Sequence, residues 1–409
     1  MQNNNTNKHF SRLREIPPGV WALGLVSMLM DISSEIIHAL LPVYLVTVLG
    51  ASMVTVGFIE GIAEATASIT KVFSGALSDW LGKRKLLAVI GYGLAAFTKP
   101  IFPLAPSVDW LVAARFIDRI GKGIRGAPRD ALVADIAPTH LRGASFGLRQ
   151  SLDTVGAFVG PALAIGLMWL TANSFQAVFW VAVIPAFLAV ALLVFAVDEP
   201  ERPPGLRKVQ SPLSVAELKR LGLAYWWIVG IAVVFSLARF SEAFLILRAQ
   251  AVGLPVVLVP LVLVLMNVVY AFAAYPAGVL SDHVNRITIL GVGFSLLIAA
   301  DLVLGFTNGL AGVAAGVALW GLHMGFTQGL LATLVADTAP PELRGTAYGM
   351  FNLLSGLALL IASVLAGALW ESVGAESTFF AAAHFTAIAL VGLAATRRIA
   401  PTVGQRAEV

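Results

Sequence analysis

The chain has 409 residues, of which 58% are hydrophobic and only 12% charged, and its mean hydropathy is +0.86. A water-soluble protein of this length needs a far larger polar share to cover its surface, so the composition excludes that class. Cysteine is absent, which excludes disulfides and thiolate metal sites, and the formal net charge is +4.

Apolar runs long enough to cross a membrane occur twelve times along the chain. About 20 consecutive apolar residues are needed to span the hydrocarbon core. The backbone of each span must be helical because lipid offers no partners for its N–H and C=O groups. The predicted spans, called spans 1 to 12 below, are residues 20–48, 53–77, 85–105, 109–131, 144–170, 176–197, 223–250, 255–280, 287–307, 310–335, 344–371 and 377–396. The sequence therefore predicts an all-α integral membrane protein with twelve transmembrane helices.

Lysine and arginine are confined to every second loop between these spans. The loop after span 2 contains Lys83, Arg84 and Lys85, whereas the loops at 105–108 and 308–310 contain no basic residue. Cytoplasmic loops carry the excess of basic residues in membrane proteins. We therefore expect a multi-pass protein of the inner (cytoplasmic) membrane with both termini in the cytoplasm. The positive net charge then reflects membrane topology, and no nucleic-acid partner is expected.

Span 1 has four polar residues on one helical face. Asp31, Ser34, Glu35 and His38 are spaced i, i+3, i+4 and i+7. A charged residue near the bilayer centre costs about 2.5–3.5 kcal/mol on insertion scales, so such a residue is a functional candidate by default. We predict that Asp31 and Glu35 carry the coupling proton. A structural ion pair between these carboxylates and an arginine is the alternative.

Span 4 has the densest charge of any span. Six charged residues fall within about 120° of arc at 100° per residue, and they are Arg115, Asp118, Arg119, Lys122, Arg125 and Arg129. A charged stripe cannot face lipid, so it is predicted to face the interior. Arg119 is the predicted coupling partner of the carboxylates, and Arg115 and Lys122 are predicted to bind substrate. Arg125 and Arg129 are near the cytoplasmic end, where they could instead extend towards water.

Other spans contribute fewer polar residues. Glu64 in span 2, Arg239 and Glu242 in span 7, and Asn267 in span 8 are further predicted substrate-binding residues. Substrate is expected to bind between the two halves of the chain, against spans 1, 4, 7 and 10. Because the first half carries most of the buried charge, we expect it to provide proton coupling and charge recognition.

An internal repeat divides the chain near its midpoint. The segment DIAPTHLRGASFGLR at 135–149 recurs as DTAPPELRGTAYGMF at 337–351, and GALSD at 75–79 recurs as GVLSD at 278–282. Both offsets are close to 202 residues. The repeat predicts two pseudo-symmetric six-helix bundles, 1–200 and 222–409, joined by a cytoplasmic linker at 201–221. Lys99 and Asp301 occupy equivalent positions in the two halves and are expected to be structural.

The loop sequence GALSDWLGKRK at 75–85 resembles the signature motif of the major facilitator superfamily, and a degenerate copy follows around Asp282. The resemblance implies gating roles for Gly75, Asp79, Gly82, Arg84 and Asp282. A purely topogenic, positively charged loop is the simpler alternative.

Spans 4 and 5 extend the resemblance to proton-coupled drug exporters of that superfamily. Arg119 with Gly123 resembles its Arg-xxx-Gly motif, and Gly156, Gly160 and Pro161 resemble its GxxxGP motif, which implies a gating role for these three residues. Ordinary small-residue packing is the alternative for the GxxxGP motif. Span 4 also contains the sequence DRIGKGIRGAPRDAL, the DRxGKGxRxxPRDAL pattern of a subgroup whose substrates the resemblance does not identify.

These features together favour a secondary active transporter that works by alternating access. We expect proton-coupled efflux of a small organic solute, anionic or zwitterionic because arginine suits carboxylate or phosphate groups. One alternative is a cation or divalent-metal transporter that uses Asp31, Glu35 and His38, and another is a lipophilic-drug exporter. No nucleophile–base pair, HExxH motif or nucleotide-binding glycine loop is present, so neither an enzyme nor a cofactor is expected. The expected partners are the small-molecule substrate, protons and the lipid bilayer, and the expected state is a monomer.

Overall fold

The computed structural model describes residues 15–81, 83–138, 141–199, 218–281, 284–327, 330–340 and 343–399. Within these ranges it does not describe the side chains of residues 75, 76, 79, 80, 142, 143, 275, 278, 279, 281, 332, 333, 336, 344, 345 and 397–399. Every regular element in the described ranges is a helix.

The α-helices are numbered in chain order. In the first half they are α1 (Pro18–His38), α2 (Leu41–Thr47), α3 (Met53–Leu81), α4 (Arg84–Thr98), α5 (Ile101–Leu104), α6 (Val108–Ile136), α7 (Arg142–Leu170) and α8 (Phe175–Ala196). In the second half they are α9 (Leu223–Ala238), α10 (Ala243–Ala251), α11 (Leu261–Ser281), α12 (Arg286–Phe306), α13 (Leu310–Thr327), α14 (Leu330–Thr338), α15 (Arg344–Ser372) and α16 (Ala375–Ile399). A short 3₁₀ turn, Val256–Leu258, precedes α11.

These helices match the twelve predicted spans. Among the described residues, ten helical segments are long and apolar enough to cross a membrane. The other two predicted spans are α3 and α6, which are each 29 residues long but carry more charge. The prediction of an all-α membrane protein with the architecture of two six-helix bundles is therefore confirmed.

Several spans are interrupted by short breaks. Span 1 is interrupted between α1 and α2, and Pro42 occupies the first turn of α2. A proline is tolerated there because the first N–H groups of a helix have no intrahelical partner. Span 7 is broken between α9 and α10, so that Arg239, Phe240, Ser241 and Glu242 lie outside regular helix. Discontinuous helices in transporters expose backbone polar groups where they line a binding site.

The contacts group the chain into two compact units. The first unit comprises residues 1–38 and 73–210, and the second comprises 39–72 and 211–409. Part of α3 belongs to the second unit because its glycines abut α15: a Cβ on Gly61 would lie 3.0 Å from Leu360. Contact grouping and sequence repeat are different criteria, so the division into halves at residues 200 and 222 remains a prediction.

The sequence repeat is reproduced in the local structure of each unit. In the first unit, Arg84 Nη1 donates to Asp135 Oδ2 at 2.5 Å. In the second unit, Arg286 donates to Asp337 in the same way. Both residues of the second pair follow their counterparts by 202 positions. Within each unit, we call the end of its helices that carries this pair the basic end of that unit.

Candidate transport site

Four of the six charged residues of the span 4 stripe are buried along α6, while Lys122 is exposed and Arg129 is partly buried. Arg115, Asp118, Arg119 and Arg125 are each 5% exposed or less. The helix reaches 29 residues although it contains Pro128 and several glycines. Such a charged helix can exist in a membrane only when neighbouring helices supply polar partners.

Glycine residues bring α4 and α6 into close contact. A Cβ on Gly91 would lie 2.7 Å from the backbone N of Arg125, and one on Gly121 would lie 2.5 Å from the carbonyl O of Gly91. Any larger residue would force the two helices apart. This approach sets the distance between polar side chains of α4 and the stripe of α6.

The shortest polar contact across this interface joins Lys99 and Asp118. Lys99 Nζ donates to Asp118 Oδ1 at 2.9 Å, and both side chains are less than 5% exposed. Lys99 also donates to Ser34 Oγ at 3.1 Å. Arg119 Nε is farther from Asp118, at 3.7 Å. The sequence analysis did not predict this pair, which links α4 and α6 to the polar face of α1.

The GxxxGP motif of α7 packs directly on the carboxylate face of α1. A Cβ on Gly156 would lie 2.9 Å from Asp31 Cβ, and one on Gly160 would lie 2.6 Å from Glu35 Cβ. Each glycine therefore abuts one of the two predicted proton-coupling residues. The spacing of four residues matches one turn of both helices, so the motif fixes the position of both carboxyl groups.

Neither carboxyl group of α1 is held by an arginine through a hydrogen bond in the described contacts. The nearest recorded atom pair between Asp31 and Arg125 is 4.0 Å apart, and the Asp31 side chain is 30% exposed. Glu35 instead contacts His38 Nδ1 at 3.4 Å. Lys122 acts electrostatically on both carboxyl groups, and Arg119 acts on Glu35. The arrangement is a partly exposed acidic face opposite a basic face, on which Arg119 and Arg125 are buried and Lys122 is exposed.

A second ion-pair network lies closer to the basic end. Arg149 Nη1 donates to Asp153 Oδ2 at 2.5 Å, and Arg129 approaches Asp130 at 3.1 Å and Asp153 at 3.9 Å. Arg129 also donates to Ser27 Oγ at 2.9 Å. These contacts direct Arg129 towards α1 and α7 in the interior, whereas the alternative from sequence was an arginine extended towards water.

Tyr92 of α4 connects the two networks. Its hydroxyl lies 3.0 Å from Ser27 Oγ, and the guanidinium of Arg125 lies 4.6 Å from its ring centroid. A cation over an aromatic face is stabilised by the ring quadrupole. Sequence analysis missed Tyr92, although its spacing of seven residues from Lys99 puts both on one face of span 3 and could have revealed it.

The second unit has its own polar group around the break between α9 and α10. Glu242, Glu64 and Tyr270 are the groups that act electrostatically on Arg239. Ser241 Oγ lies 3.4 Å from Glu60 Oε2, and its backbone N–H donates to Ser363 Oγ at 3.2 Å. These contacts hold the break in place.

Other predicted site residues are placed as follows. Asn267 is in α11, and it interacts with neighbouring residues, as do Arg115 and Lys122 in α6. Pro161 is inside α7, directly after Gly160.

The predicted gating residues are only partly described. Arg84 begins α4 and donates to the carbonyl O of Ala131 at 3.0 Å as well as to Asp135. Gly82 and Asp282 lie outside the described residues. Gly75 and Asp79 belong to α3, but the structure does not describe the surroundings of either residue. The described residues contain no group of three His, Asp or Glu side chains that could hold a metal ion.

Membrane-length helices that enclose a network of buried charges define a polytopic membrane transporter. The chain matches the Major Facilitator Superfamily profile over residues 23–363 and 244–408. It therefore belongs to the Major Facilitator Superfamily and is a secondary transporter.

Two relatives and one solved structure illustrate this membership. The chain is 33% identical to an uncharacterised MFS-type transporter of Methanocaldococcus jannaschii, over 93% of this chain and 94% of that one. It is 25% identical to the inner membrane transport protein YajR of Escherichia coli strain K12, over 94% and 84%. A bacterial homologue of the human lysosomal transporter Spinster, in an inward-facing and occupied conformation, superposes with a TM-score of 0.78 at 16% identity, covering 95% and 98%. At this identity the superposition shows the shared fold alone.

Proposed function

We propose that the protein is a proton-coupled transporter of small organic anions or zwitterions that works by alternating access. The observation that carries the proposal is the acidic face of α1. Asp31 and Glu35 are partly exposed, abut the two glycines of α7, and face cationic groups of α6 without a recorded hydrogen bond to an arginine. A carboxyl group placed in this way can change its protonation state, whereas a tightly bonded ion pair cannot.

Arg119 is assigned the role of coupling partner. It is buried beside Asp118 and acts electrostatically on Glu35. When Glu35 loses its proton, attraction to Arg119 strengthens, and when it gains one, Arg119 becomes available to an anion. Proton binding and anion binding are thereby linked.

Substrate contact is assigned to cationic, acidic and amide side chains. The cationic residues are Arg115, Lys122 and Arg239, the acidic residues are Glu64 and Glu242, and the amide is Asn267. Guanidinium groups bind carboxylate or phosphate in a planar, bidentate manner, and the acidic residues suit the ammonium group of a zwitterion.

Efflux, the inner membrane and cytoplasmic termini complete the proposal. Efflux rests on the GxxxGP motif of α7, and the topology rests on the basic loops. The related YajR of Escherichia coli is an inner membrane transport protein, which supports the location. Direction can be measured with right-side-out and inverted vesicles, and topology with reporter fusions at either terminus.

The first experiment is a thermal-unfolding screen of the purified protein in detergent. The probes are benzoate as an organic anion, a dipeptide that is zwitterionic at neutral pH, tetraphenylphosphonium as a lipophilic cation, and Mn²⁺ as a divalent metal ion. A compound at 100 times its dissociation constant stabilises by about 2.7 kcal/mol. We expect benzoate or the dipeptide to stabilise the protein and Arg119→Ala to abolish the effect. Stabilisation by tetraphenylphosphonium or Mn²⁺ alone would refute the anion or zwitterion assignment while leaving the transporter fold intact.

Proton coupling is tested by ligand-induced proton exchange in weakly buffered solution. Adding the stabilising probe to the wild type is expected to change the pH. Asp31→Asn and Glu35→Gln, which mimic the protonated groups, are expected to reduce the change. Equal proton exchange in the wild type and the double variant would show that coupling does not run through these residues.

A further inference from the structure

Asp301 is a buried acid that the proposed mechanism does not use. It lies within α12 and is fully buried. Neither of its carboxyl oxygens has a hydrogen-bond partner among the described residues. Its buried neighbours along the helix, Leu297, Ala300 and Leu304, are all apolar.

The internal repeat shows what this position lacks. Lys99 lies 202 positions before Asp301, and it is bonded to Asp118. The residue 202 positions after Asp118 is Trp320, which is buried and has no charge. The first half thus has the ion pair of Lys99 with Asp118, whereas the equivalent positions of the second half hold an acid, Asp301, and an uncharged indole, Trp320.

The helix α13 offers one titratable side chain near Asp301. Gly316 packs on Leu304, and Gly293 of α12 packs on Thr327. This antiparallel register puts Asp301 level with residues 319–320 of α13. His323 is then about one helical turn nearer the basic end, and it is buried edge-on against Trp320 with ring centroids 5.3 Å apart.

The other helices packed near Asp301 provide no hydrogen-bond partner for its carboxyl group among the described residues. Arg248 of α10 is buried and donates to the carbonyl O of Leu304, one helical turn from Asp301, at 3.1 Å, but it is not bonded to Asp301. On α16, Gly305 packs on Phe380 and Gly291 packs on Leu390, so Asp301 lies at the level of Ala383. The next residue of α16, His384, is exposed and therefore does not face Asp301. Glu376 at the start of α16 is bonded to Arg248 at 3.0 Å.

The remaining charged groups in these helices already interact elsewhere. Tyr270 of α11 is an uncharged phenol near Arg239, whose guanidinium lies 6.0 Å from the ring centroid of Phe235 in α9. Asp337 of α14 is bonded to Arg286 at the basic end. Among the described residues, neither a hydrogen bond nor an ion pair therefore offsets the burial of Asp301.

An isolated carboxylate in an apolar interior takes up a proton instead of remaining charged. We propose that Asp301 is a second proton-binding residue, which holds a proton in this conformation and releases it when a conformational change lets water reach α12. The proposal rests on the proton coupling proposed above and adds a site in the second unit. An acid with only a packing role is disfavoured, because a leucine would fill the site without leaving polar atoms unsatisfied.

The test reads the protonation of Asp301 directly and needs no substrate. Infrared spectra of the reconstituted protein at neutral pH are expected to show a protonated-carboxyl C=O band that Asp301→Asn removes. Asparagine has nearly the same shape and no charge, so this variant is expected to fold. Glu371→Gln, at an exposed position near the end of α15, is the matched control and should leave the band unchanged. A wild-type spectrum identical to that of Asp301→Asn would overturn the proposal.

A pH titration separates a proton carrier from a static acid. Raising the pH is expected to remove the band reversibly while circular dichroism shows that the helices persist, and Asp301→Asn should release one proton fewer per molecule. A band that persists until the protein unfolds would overturn the proposal. If Asp31→Asn leaves ligand-induced proton exchange unchanged but the Asp301 band titrates, the α1 assignment fails and this inference stands.

Discussion

Separating the buried pair between Lys99 and Asp118 gives the sharpest test of how α4 and α6 are held together. The change is Asp118→Asn, which leaves the ammonium of Lys99 buried without its charged partner. The two atoms are 2.9 Å apart, and the side chains are 2% and 4% exposed. Breaking a buried pair by removing one partner costs about 3–5 kcal/mol, because the other charge stays desolvated.

The comparison variant removes both charges. Replacing a buried ion pair by apolar residues of similar size is often neutral or stabilising, so Lys99→Met with Asp118→Leu is expected to recover part of the loss. The recovery is incomplete because buried Arg119, whose Nε lies 3.7 Å from Asp118, still loses that carboxylate. Ser34 loses the donor that Lys99 provided, which limits the recovery by roughly 1 kcal/mol for one hydrogen bond.

Unfolding in a denaturing detergent, followed by the fluorescence of the nine tryptophans, measures these free energies. The expected order of stability is wild type, then the double variant, then Asp118→Asn. If Asp118→Asn unfolds like the wild type, the pair is not desolvated, and the reasoning about the α4–α6 interface is wrong. A double variant that loses as much unfolding free energy as the two single variants together would also contradict the reasoning, because residues that interact must deviate from additivity.

Further predictions concern the glycines of α7 and the pairs at the basic end. Gly160→Ala is expected to destabilise the protein by about 1–3 kcal/mol through overpacking against Glu35. Gly166→Ala in the same helix is the control: a Cβ there meets nothing within 4 Å, so this variant is expected to be slightly stabilised by its higher helix propensity. Similar unfolding curves for the two variants would contradict the packing argument. Arg286→Ala is expected to cost less than about 1 kcal/mol, because the side chains of Arg286 and Asp337 are 35% and 41% exposed, and a larger loss in the same unfolding assay would show that this pair has a structural role.

Sequence reasoning was strongest where the determinants are local. The length of an apolar run and a charge spacing of three to four residues describe a single helix. The twelve spans and the alignment of Asp31 with Glu35 on one face therefore followed without tertiary information. The repeat also carried spatial information, since Arg84 with Asp135 and Arg286 with Asp337 form equivalent pairs.

Long-range pairing was harder to foresee. The sequence placed Asp118 only in the charged stripe of span 4, and it did not reveal that its shortest contact is with Lys99. Arg129 was a candidate for extension towards water, but it is bonded to Ser27 in the interior. Both outcomes depend on how closely neighbouring helices approach.

By itself, the sequence determined a twelve-span membrane protein with an internal repeat, because hydrophobic length and periodicity act within each helix. Only the tertiary structure decided which charges meet. Glycine contacts between α4 and α6 bring Lys99 to Asp118, and those between α1 and α7 position Asp31 and Glu35. Asp301, at the position equivalent to Lys99, has no such partner among the described residues. The physical reason is that an electrostatic interaction depends on distance and burial, and both quantities are set by packing between helices remote in sequence.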